Sequence, residues 1–259
     1  MTPVFLFLSL LAGSTSCFDV QEVSSSISDI IEEVNADIQQ NTSSIFEFDD
    51  IRVDLPSRAQ PCAEKLCTWP KSGRTVTVPY SISPTFRSSD LRVFRAAMLY
   101  FHRNTCIVFK PQTNETSFLY FYSGPGCWSY LGYINYVQPI SLNKDSCVTV
   151  GIVQHQILHA LGFHHELNRL DRDQNIHIIS RNIQPEKKKN LDKVKTSSDG
   201  TPYDYNSIMH YGKYTLSKNR HQTIIATKWP YSLGHARYMS VIDTRRVNKL
   251  YQCCETHKC

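Results

Sequence analysis

Residues 154 to 166 read QHQILHALGFHHE, and this stretch decides the fold. His155 and His159 are four residues apart, so on a helix their rings project from one face and can bind one metal ion. Gly162 follows, and glycine lets the chain leave a helix through a left-handed turn. That turn brings His165 back to the same ion. Three neutral imidazoles leave a position open for water, which is typical of a catalytic zinc site.

The helix that carries the first two histidines is predicted from the run VTVGIVQHQILHALG at 148 to 162. Two histidines at this spacing are a weak signal alone. The whole pattern H-x-x-H-x-x-G-x-x-H, however, is matched at all four specified positions, and this raises its specificity. Three unrelated histidines in a purely structural role are the alternative, and metal analysis would separate the two.

The rest of the 259-residue chain predicts one substantial domain with appendages. The first 17 residues, MTPVFLFLSLLAGSTSC, have a short apolar centre followed by small residues, which favours a secretory signal peptide over a membrane span. The net charge is +5, and the basic run EKKKNLDKVK at 186 to 195 is typical of a solvated face. We therefore expect a secreted, extracellular protein with no nucleic-acid or membrane partner.

Residues 18 to 58 are acidic, rich in serine and free of cysteine. This composition predicts a pro-segment that is removed near Arg58, with a flexible linker as the alternative. The stretch ISDIIEEVNADI at 27 to 38 has apolar residues at helical spacing and predicts a short helix. Nine cysteines are present, and without Cys17 the eight that remain suggest four disulfides in an exported chain. The domain itself is expected at 59 to 259.

Strands and helices alternate after the first cysteines of this domain. Strands are predicted at 74 to 82, where Pro79 would mark an edge or an end, and at 106 to 111, 117 to 123 and 139 to 143. The stretch 88 to 106 predicts a helix, and another is predicted at 240 to 251. The first of these helices places one apolar stripe toward the core: Phe94, Ala97, Met98 and Phe101.

From Cys62 to Cys253 the sequence resembles the astacin zinc metalloendopeptidases, and within them the hatching enzymes of fish. The resemblance is carried by HQILHALGFHHELNRLDRD at 155 to 173 and YDYNSIMHYG at 203 to 212. The pair Cys62 and Cys67 before Trp69 is similar to an extra bridge of the hatching-enzyme branch. The implied fold is α+β of the zincin (metzincin) type: a twisted, mostly parallel sheet, two long helices above a cleft, and an irregular, disulfide-tied C-terminal half.

The resemblance also implies roles for residues of this chain. One Zn²⁺ per chain would be held by His155, His159 and His165, with Met209 as an apolar floor beneath them. Tyr211 would support the transition state. Glu166 would pair with the N-terminus that processing frees.

Further implications concern the disulfides and the pro-segment. The pairs would be Cys62 with Cys67, Cys106 with Cys253, and Cys127 with Cys147, leaving Cys254 and Cys259 for a small C-terminal loop. The stretch FEFD at 46 to 49 is similar to an inhibitory motif in which an aspartate caps the zinc. We assign that role to Asp49, although Phe48 stands where glycine is usual and leaves Asp50 as the alternative.

Gln156 departs from the family pattern, which has glutamate after the first ligand histidine. The glutamate is the general base, whereas an amide cannot take up a proton near neutral pH. Loss of a positioned base costs about 10²- to 10⁴-fold in rate, so we expect severely weakened proteolysis. A natural pseudoprotease, an altered copy of an active enzyme, and an enzyme with low residual activity are the three alternatives.

Two hypotheses for function follow. The first is a secreted zinc endopeptidase that acts on extended polypeptides, by resemblance egg-envelope glycoproteins, with its own pro-segment as inhibitor. The second is a zinc-bound module that binds egg-envelope or matrix proteins without cleaving them. Turnover by the Gln156→Glu variant distinguishes them.

Overall fold

The computed structural model describes residues 25–42, 46–54, 67–195, 200–228 and 233–253. The predicted signal peptide, the processing site near Arg58, and Cys62, Cys254 and Cys259 lie outside these ranges. Within them, no helix is long and apolar enough to cross a membrane. The residues 25–42 and 46–54 are called the N-terminal segment below.

Eight strands form the main sheet, in the order β1-β2-β7-β8-β6-β4-β3, with β5 on the other side of β4. Four of the seven pairings are parallel: β2 with β7, β8 with β6, and β4 with both β6 and β5. The mostly parallel sheet of the zincin type is thereby confirmed. The strands are β1 (Phe46–Glu47), β2 (Ile51–Arg52), β3 (Lys71–Ser72), β4 (Thr75–Ile82), β5 (Ile107–Pro111), β6 (Leu119–Tyr122), β7 (Cys127–Tyr130) and β8 (Gln138–Leu142).

Four helices accompany the sheet: α1 (Ile27–Thr42), α2 (Ser88–Asn104), α3 (Val150–Ala160) and α4 (Val241–Leu250). Helices α2 and α3 pack against each other, and their apolar residues join those of the central strands in one core. The predicted stripe of α2 is buried at all four positions. Helix α3 is buried along nearly its whole length, so its polar residues must find partners inside the protein.

The C-terminal half is irregular, as expected. Between α3 and α4 the described chain forms short 3₁₀ turns and one two-stranded sheet, in which β9 (Ile176–Ile178) pairs with β10 (Ile224–Ala226). A separate apolar cluster fills this half. The disulfide Cys106–Cys253 joins the start of β5 to the chain after α4. The disulfide Cys127–Cys147 joins β7 to the residues just before α3.

Pro79 does not end its strand, but one side of the strand is an unpaired edge at this position. Strand β4 continues through Pro79 to Ile82 and lies inside the sheet. It pairs with β5 from Val76 to Tyr80, but its pairing with β6 begins only at Tyr80. Pro79 therefore stands where one side of the strand has no ladder to complete, and its missing N–H costs no hydrogen bond there.

Candidate metal centre and active site

Helix α3 and the turn after it bring the three predicted histidines together. Thr149 caps the helix, its hydroxyl accepting from the Ile152 N–H at 3.2 Å. The helix ends at Ala160, and Gly162 adopts a φ of +100°, which a side chain would strain. The ring centroids of His155, His159 and His165 then lie 4.7 to 5.3 Å apart. All three side chains are buried.

Backbone carbonyls fix two of the imidazole rings. Nδ1 of His155 lies 3.0 Å from the Ile208 carbonyl oxygen, and Nδ1 of His159 lies 2.7 Å from that of Phe163. A carbonyl only accepts, so each Nδ1 carries a proton, and in the neutral ring that binds a metal each Nε2 then presents a lone pair. These Nε2 atoms lie 3.1 Å apart. Carbonyl partners of this kind orient metal-ligating histidines in general.

A carboxylate completes the cluster. Asp50 Oδ2 lies 3.0 Å from Nε2 of His155, and its Oδ1 lies 3.2 Å from Nε2 of both His159 and His165. Among the described residues, Oδ1 makes no hydrogen bond. The four ligand atoms lie within 4.8 Å of one another.

This donor set fits a zinc ion. Lone pairs and a carboxylate converge on one buried point, and a metal cation placed among them would offset their repulsion. Burial also lowers the pKa of His165 to about 4, so that this imidazole is neutral as a metal ligand must be.

The assignment of Asp49 as the capping residue was wrong, because Asp50 enters the cluster. Phe48 and Asp49 have φ values of +51° and +71°, so the chain makes two left-handed steps just before Asp50. These steps turn the Asp49 side chain away, toward Lys187 Nζ at 2.6 Å. The positive φ explains why glycine would suit position 48. Sequence spacing alone could not show which of the two aspartates this turn directs to the histidines.

Gln156 lies at the centre of the site and is fully buried. Its Nε2 donates to Asp50 Oδ2 at 2.8 Å. Its Oε1 has no hydrogen-bond partner within the described part of the chain. A glutamate here would place a second negative charge beside the Asp50 carboxylate, whereas the amide donates a hydrogen bond to that carboxylate.

Tyr211 also meets the N-terminal segment. Its ring centroid lies 4.8 Å from that of His165, and its hydroxyl donates to the Phe48 carbonyl at 3.0 Å and lies 3.2 Å from Asp49 Oδ2. Burial, with Asp49 and Asp50 nearby, raises the pKa of Tyr211 well above its usual value. The hydroxyl is therefore protonated near neutral pH and serves as a donor.

Glu166 sits in a buried ion network rather than at the metal cluster. Its Oε1 lies 3.0 Å from Arg169 Nη1 and accepts the Asp204 N–H at 2.9 Å, while its Oε2 pairs with Arg246. Arg246 comes from α4, so this network joins the histidine turn to the last helix. Sequence reasoning missed Arg246, because nothing in the local pattern of α4 marks a buried arginine.

The loop around Met209 is held by α4 as well. Met209 is buried, and its carbonyl accepts the Glu166 N–H at 2.9 Å. Asp243 accepts from the Ser207 hydroxyl at 2.6 Å and from the Ile208 N–H at 3.0 Å. Because the Ile208 carbonyl orients His155, Asp243 supports a metal-facing ring from a distance. Asp243 was predicted only as part of a helix.

Comparison with known proteins agrees with this geometry. Residues 63–252 match the family Astacin (Peptidase family M12A). The chain belongs to the astacin family. This family is zinc-dependent and acts on polypeptides, so zinc is the cofactor that the histidine and aspartate cluster accommodates.

Similar members come from the fish Oryzias latipes. The low choriolytic enzyme is 39% identical over an alignment of 261 positions, which covers 96% of this chain and 96% of the relative. High choriolytic enzyme 1 is 36% identical over 216 residues, 82% of this chain and 80% of the relative. A solved structure of the latter, described as a hatching enzyme zinc-protease, superposes with a TM-score of 0.70 at 39% identity, covering 75% of this chain and 99% of that chain.

Proposed function

We propose that this chain is a secreted, zinc-binding astacin whose cleft binds an extended polypeptide and whose hydrolytic step is severely weakened by Gln156. The observation that carries the proposal is the buried amide of Gln156 beside the metal-binding cluster. His155, His159 and His165 are the proposed zinc ligands. Egg-envelope proteins are the proposed partners, on the strength of the similarity to choriolytic enzymes.

Zinc, when bound, supplies Lewis-acid polarisation of water and of the peptide carbonyl. The chain's own residues would do the rest. The phenol of Tyr211 can donate a hydrogen bond to a developing oxyanion beside His165. Gln156 can orient a reacting group by hydrogen bonding, but it cannot accept a proton near neutral pH. Binding and polarisation are retained in this arrangement, and proton transfer is lost.

The N-terminal segment is the proposed inhibitor. Asp50 occupies the point where the ligand atoms converge, and Tyr211 is engaged by the backbone of Phe48. A substrate peptide would need both positions. Removal of the segment, proposed to follow cleavage near Arg58, would therefore precede any binding of substrate.

The test compares the processed protein with its Gln156→Glu variant. We expect the variant to digest casein and egg-envelope protein about 10²- to 10⁴-fold faster, because the carboxylate restores a general base. Both proteins should hold about one zinc per chain. Equal rates in the two proteins would contradict the role given to Gln156.

A Gln156→Met variant is the matched control. It has similar length but offers neither a proton acceptor nor an amide donor, so it should remain as slow as the parent protein. If the parent binds denatured egg-envelope protein and releases it uncleaved, the zinc-bound, non-cleaving module is the better description of the same site.

A further inference from the structure

Three aromatic rings pack against one another where the N-terminal segment pairs with the main sheet. Trp128 and Tyr130 belong to β7, and Tyr122 belongs to β6. The ring centroids of Tyr122 and Tyr130 each lie 6.0 Å from that of Trp128, in edge-to-face arrangements. These three residues are called the β7 aromatic cluster.

A positive charge of the N-terminal segment sits on this cluster. The guanidinium carbon of Arg52 lies 4.6 Å from the ring centroid of Trp128 and 5.9 Å from that of Tyr130. Phe46 of the same segment contacts Trp128 edge-on at 6.0 Å. With these neighbours in place, only 1% of Trp128 is exposed.

The backbone that presents Arg52 is itself bound as a strand. Arg52 stands opposite Tyr130 in the parallel pairing of β2 with β7, and the Ser129 N–H donates to the Asp50 carbonyl at 3.1 Å. When the segment leaves, β7 becomes an edge that can pair with another extended chain. In strand addition of this type, main-chain hydrogen bonds provide affinity and side-chain pockets provide selectivity.

We propose that the β7 aromatic cluster is a subsite for a cationic side chain, preferably arginine, of the polypeptide that the cleft binds. The inference rests on the proposed function, in which a polypeptide replaces the N-terminal segment. A cation over an aromatic face is attracted by the ring quadrupole. Arginine is preferred to lysine because its planar guanidinium stacks on rings and is less strongly hydrated.

Asp54 must be separated from the rings, because it also pairs with Arg52. Arg52 Nη2 lies 2.6 Å from Asp54 Oδ2. Asp54 belongs to the N-terminal segment and leaves with it, whereas Trp128, Tyr130 and Tyr122 stay with the domain. A subsite for substrate therefore depends on the rings, and the experiments must remove the contribution of Asp54.

The first experiment is a double-mutant cycle in the full, zinc-loaded chain, made from Arg52→Gln, Trp128→Leu and the double variant. Amide hydrogen exchange of residues 46–54 reports how firmly the segment is bound. Arg52→Gln should speed this exchange about threefold to tenfold when Trp128 is present, and about twofold or less in the Trp128→Leu background. Equal acceleration in both backgrounds would overturn the proposal.

The second experiment uses unmodified protein from which the segment has been removed by cleavage of the folded full chain. Two fluorescent peptides carry the sequence of residues 46–54 with Asp54→Asn, and one of them has citrulline at position 52. Citrulline keeps the planar shape and three of the five N–H donors, but a carbonyl oxygen replaces the third nitrogen and the charge is lost. The arginine peptide should bind about threefold to tenfold more tightly.

Equal affinities, or a preference for citrulline, would show that the surface accepts shape rather than charge and would overturn the inference. The proposed function would survive that result, because it is judged by turnover in the Gln156→Glu variant. If neither peptide binds, the inference is overturned as well, and the proposed function is still judged by turnover in the Gln156→Glu variant.

Discussion

The histidine wall, formed by His155, His159 and His165, meets the N-terminal segment at one buried point, but the two are held in different ways. The rings of His155 and His159 are fixed by backbone carbonyls of the domain core. The N-terminal segment is held by the short pairing of β2 with β7 and by separate side-chain contacts, among them Asp49 with Lys187 and Gln156 with Asp50. The histidine wall belongs to the core and persists through processing, whereas a segment held by one short strand pairing and a few side chains can be released.

The largest effect is expected when one histidine of the histidine wall is removed. His159→Ala should reduce the zinc content from about one per chain to near zero, because two remaining imidazoles bind the ion far more weakly. At a zinc concentration about a thousand times Kd, the lost linkage lowers the free energy of unfolding by about 4 kcal/mol. Elemental analysis and thermal unfolding measure the two quantities.

His164→Ala is the matched control for that prediction. His164 is adjacent to His165, and burial lowers its pKa to about 3, but its ring contacts Phe48 rather than joining the ligand set. This variant should keep its zinc. Zinc loss from both variants alike would mean that the histidine cluster has been assigned incorrectly.

The next effect separates the two aspartates of the N-terminal segment. Asp50→Asn should weaken docking of the segment by about 3 kcal/mol, because it removes a buried charge from the metal ligands. Asp49→Asn should cost only about 1 kcal/mol, since its partner Lys187 is partly exposed. The rate of limited proteolysis in 46–54 measures both. A larger effect for Asp49 would restore the original sequence-based assignment.

Asn35 of α1 anchors the N-terminal segment to the domain through backbone groups. Its Oδ1 accepts the Cys127 N–H at 2.8 Å, and its Nδ2 donates to the carbonyls of Cys127 and Asp49 at 2.9 and 3.1 Å. Asn35→Ala should weaken segment docking by about 2 kcal/mol, because it leaves buried backbone groups unpaired. Protection of α1 against hydrogen exchange is the measurement.

Two neighbouring positions test this explanation. Glu33→Ala, an exposed change on α1, should alter docking by less than about 0.5 kcal/mol. Gly126→Ala should resemble the Asn35 variant, since an added Cβ would lie 2.2 Å from Asn35 Oδ1. An Asn35→Ala chain as well protected as its parent would rule out this anchor.

The smallest effect is a dependence on pH. Burial raises the pKa of Glu32 to about 7, and the nearby carboxylates of Asp49 and Asp29 act in the same direction. The hydrogen bond from the Leu216 N–H and the charge of Lys187 lower the pKa in part. A raised carboxyl pKa favours the docked form at low pH. Docking should therefore be strongest near pH 4.5 and weaken by about 1 kcal/mol as the pH rises through about 7.

Glu32→Gln should remove this dependence of docking on pH, because the amide does not titrate. Its oxygen can still accept the Leu216 N–H. Glu33→Gln, on the exposed side of the helix, should leave the profile unchanged. Identical pH profiles for Glu32→Gln and the parent chain would assign the dependence to another group.

The sequence predicted the parts of the fold that follow regular spacing. The stripe of α2, the helix that carries His155, and the strands with alternating residues were placed correctly, because their periodicity matches their burial. Strand β7 was missed, since all four of its residues are buried and it shows no alternation. The pairings of β9 and β10 were missed for a different reason: they depend on contacts between distant parts of the chain.

The site shows the same division. The three histidines lie on one helix and one glycine turn, so local geometry places them together. Asp50 and Arg246 arrive from opposite ends of the chain, 105 residues before His155 and 80 residues after Glu166. No local rule connects such residues. Their contributions became visible only when the two left-handed residues before Asp50 and the packing of α4 were known.

The bond between Cys106 and Cys253 spans 147 residues and encloses all three histidines. A single peptide-bond break anywhere between these two cysteines leaves both fragments covalently attached. A protein of this kind can be nicked in an exposed turn by a protease in its surroundings and still migrate as one species until a reductant is added.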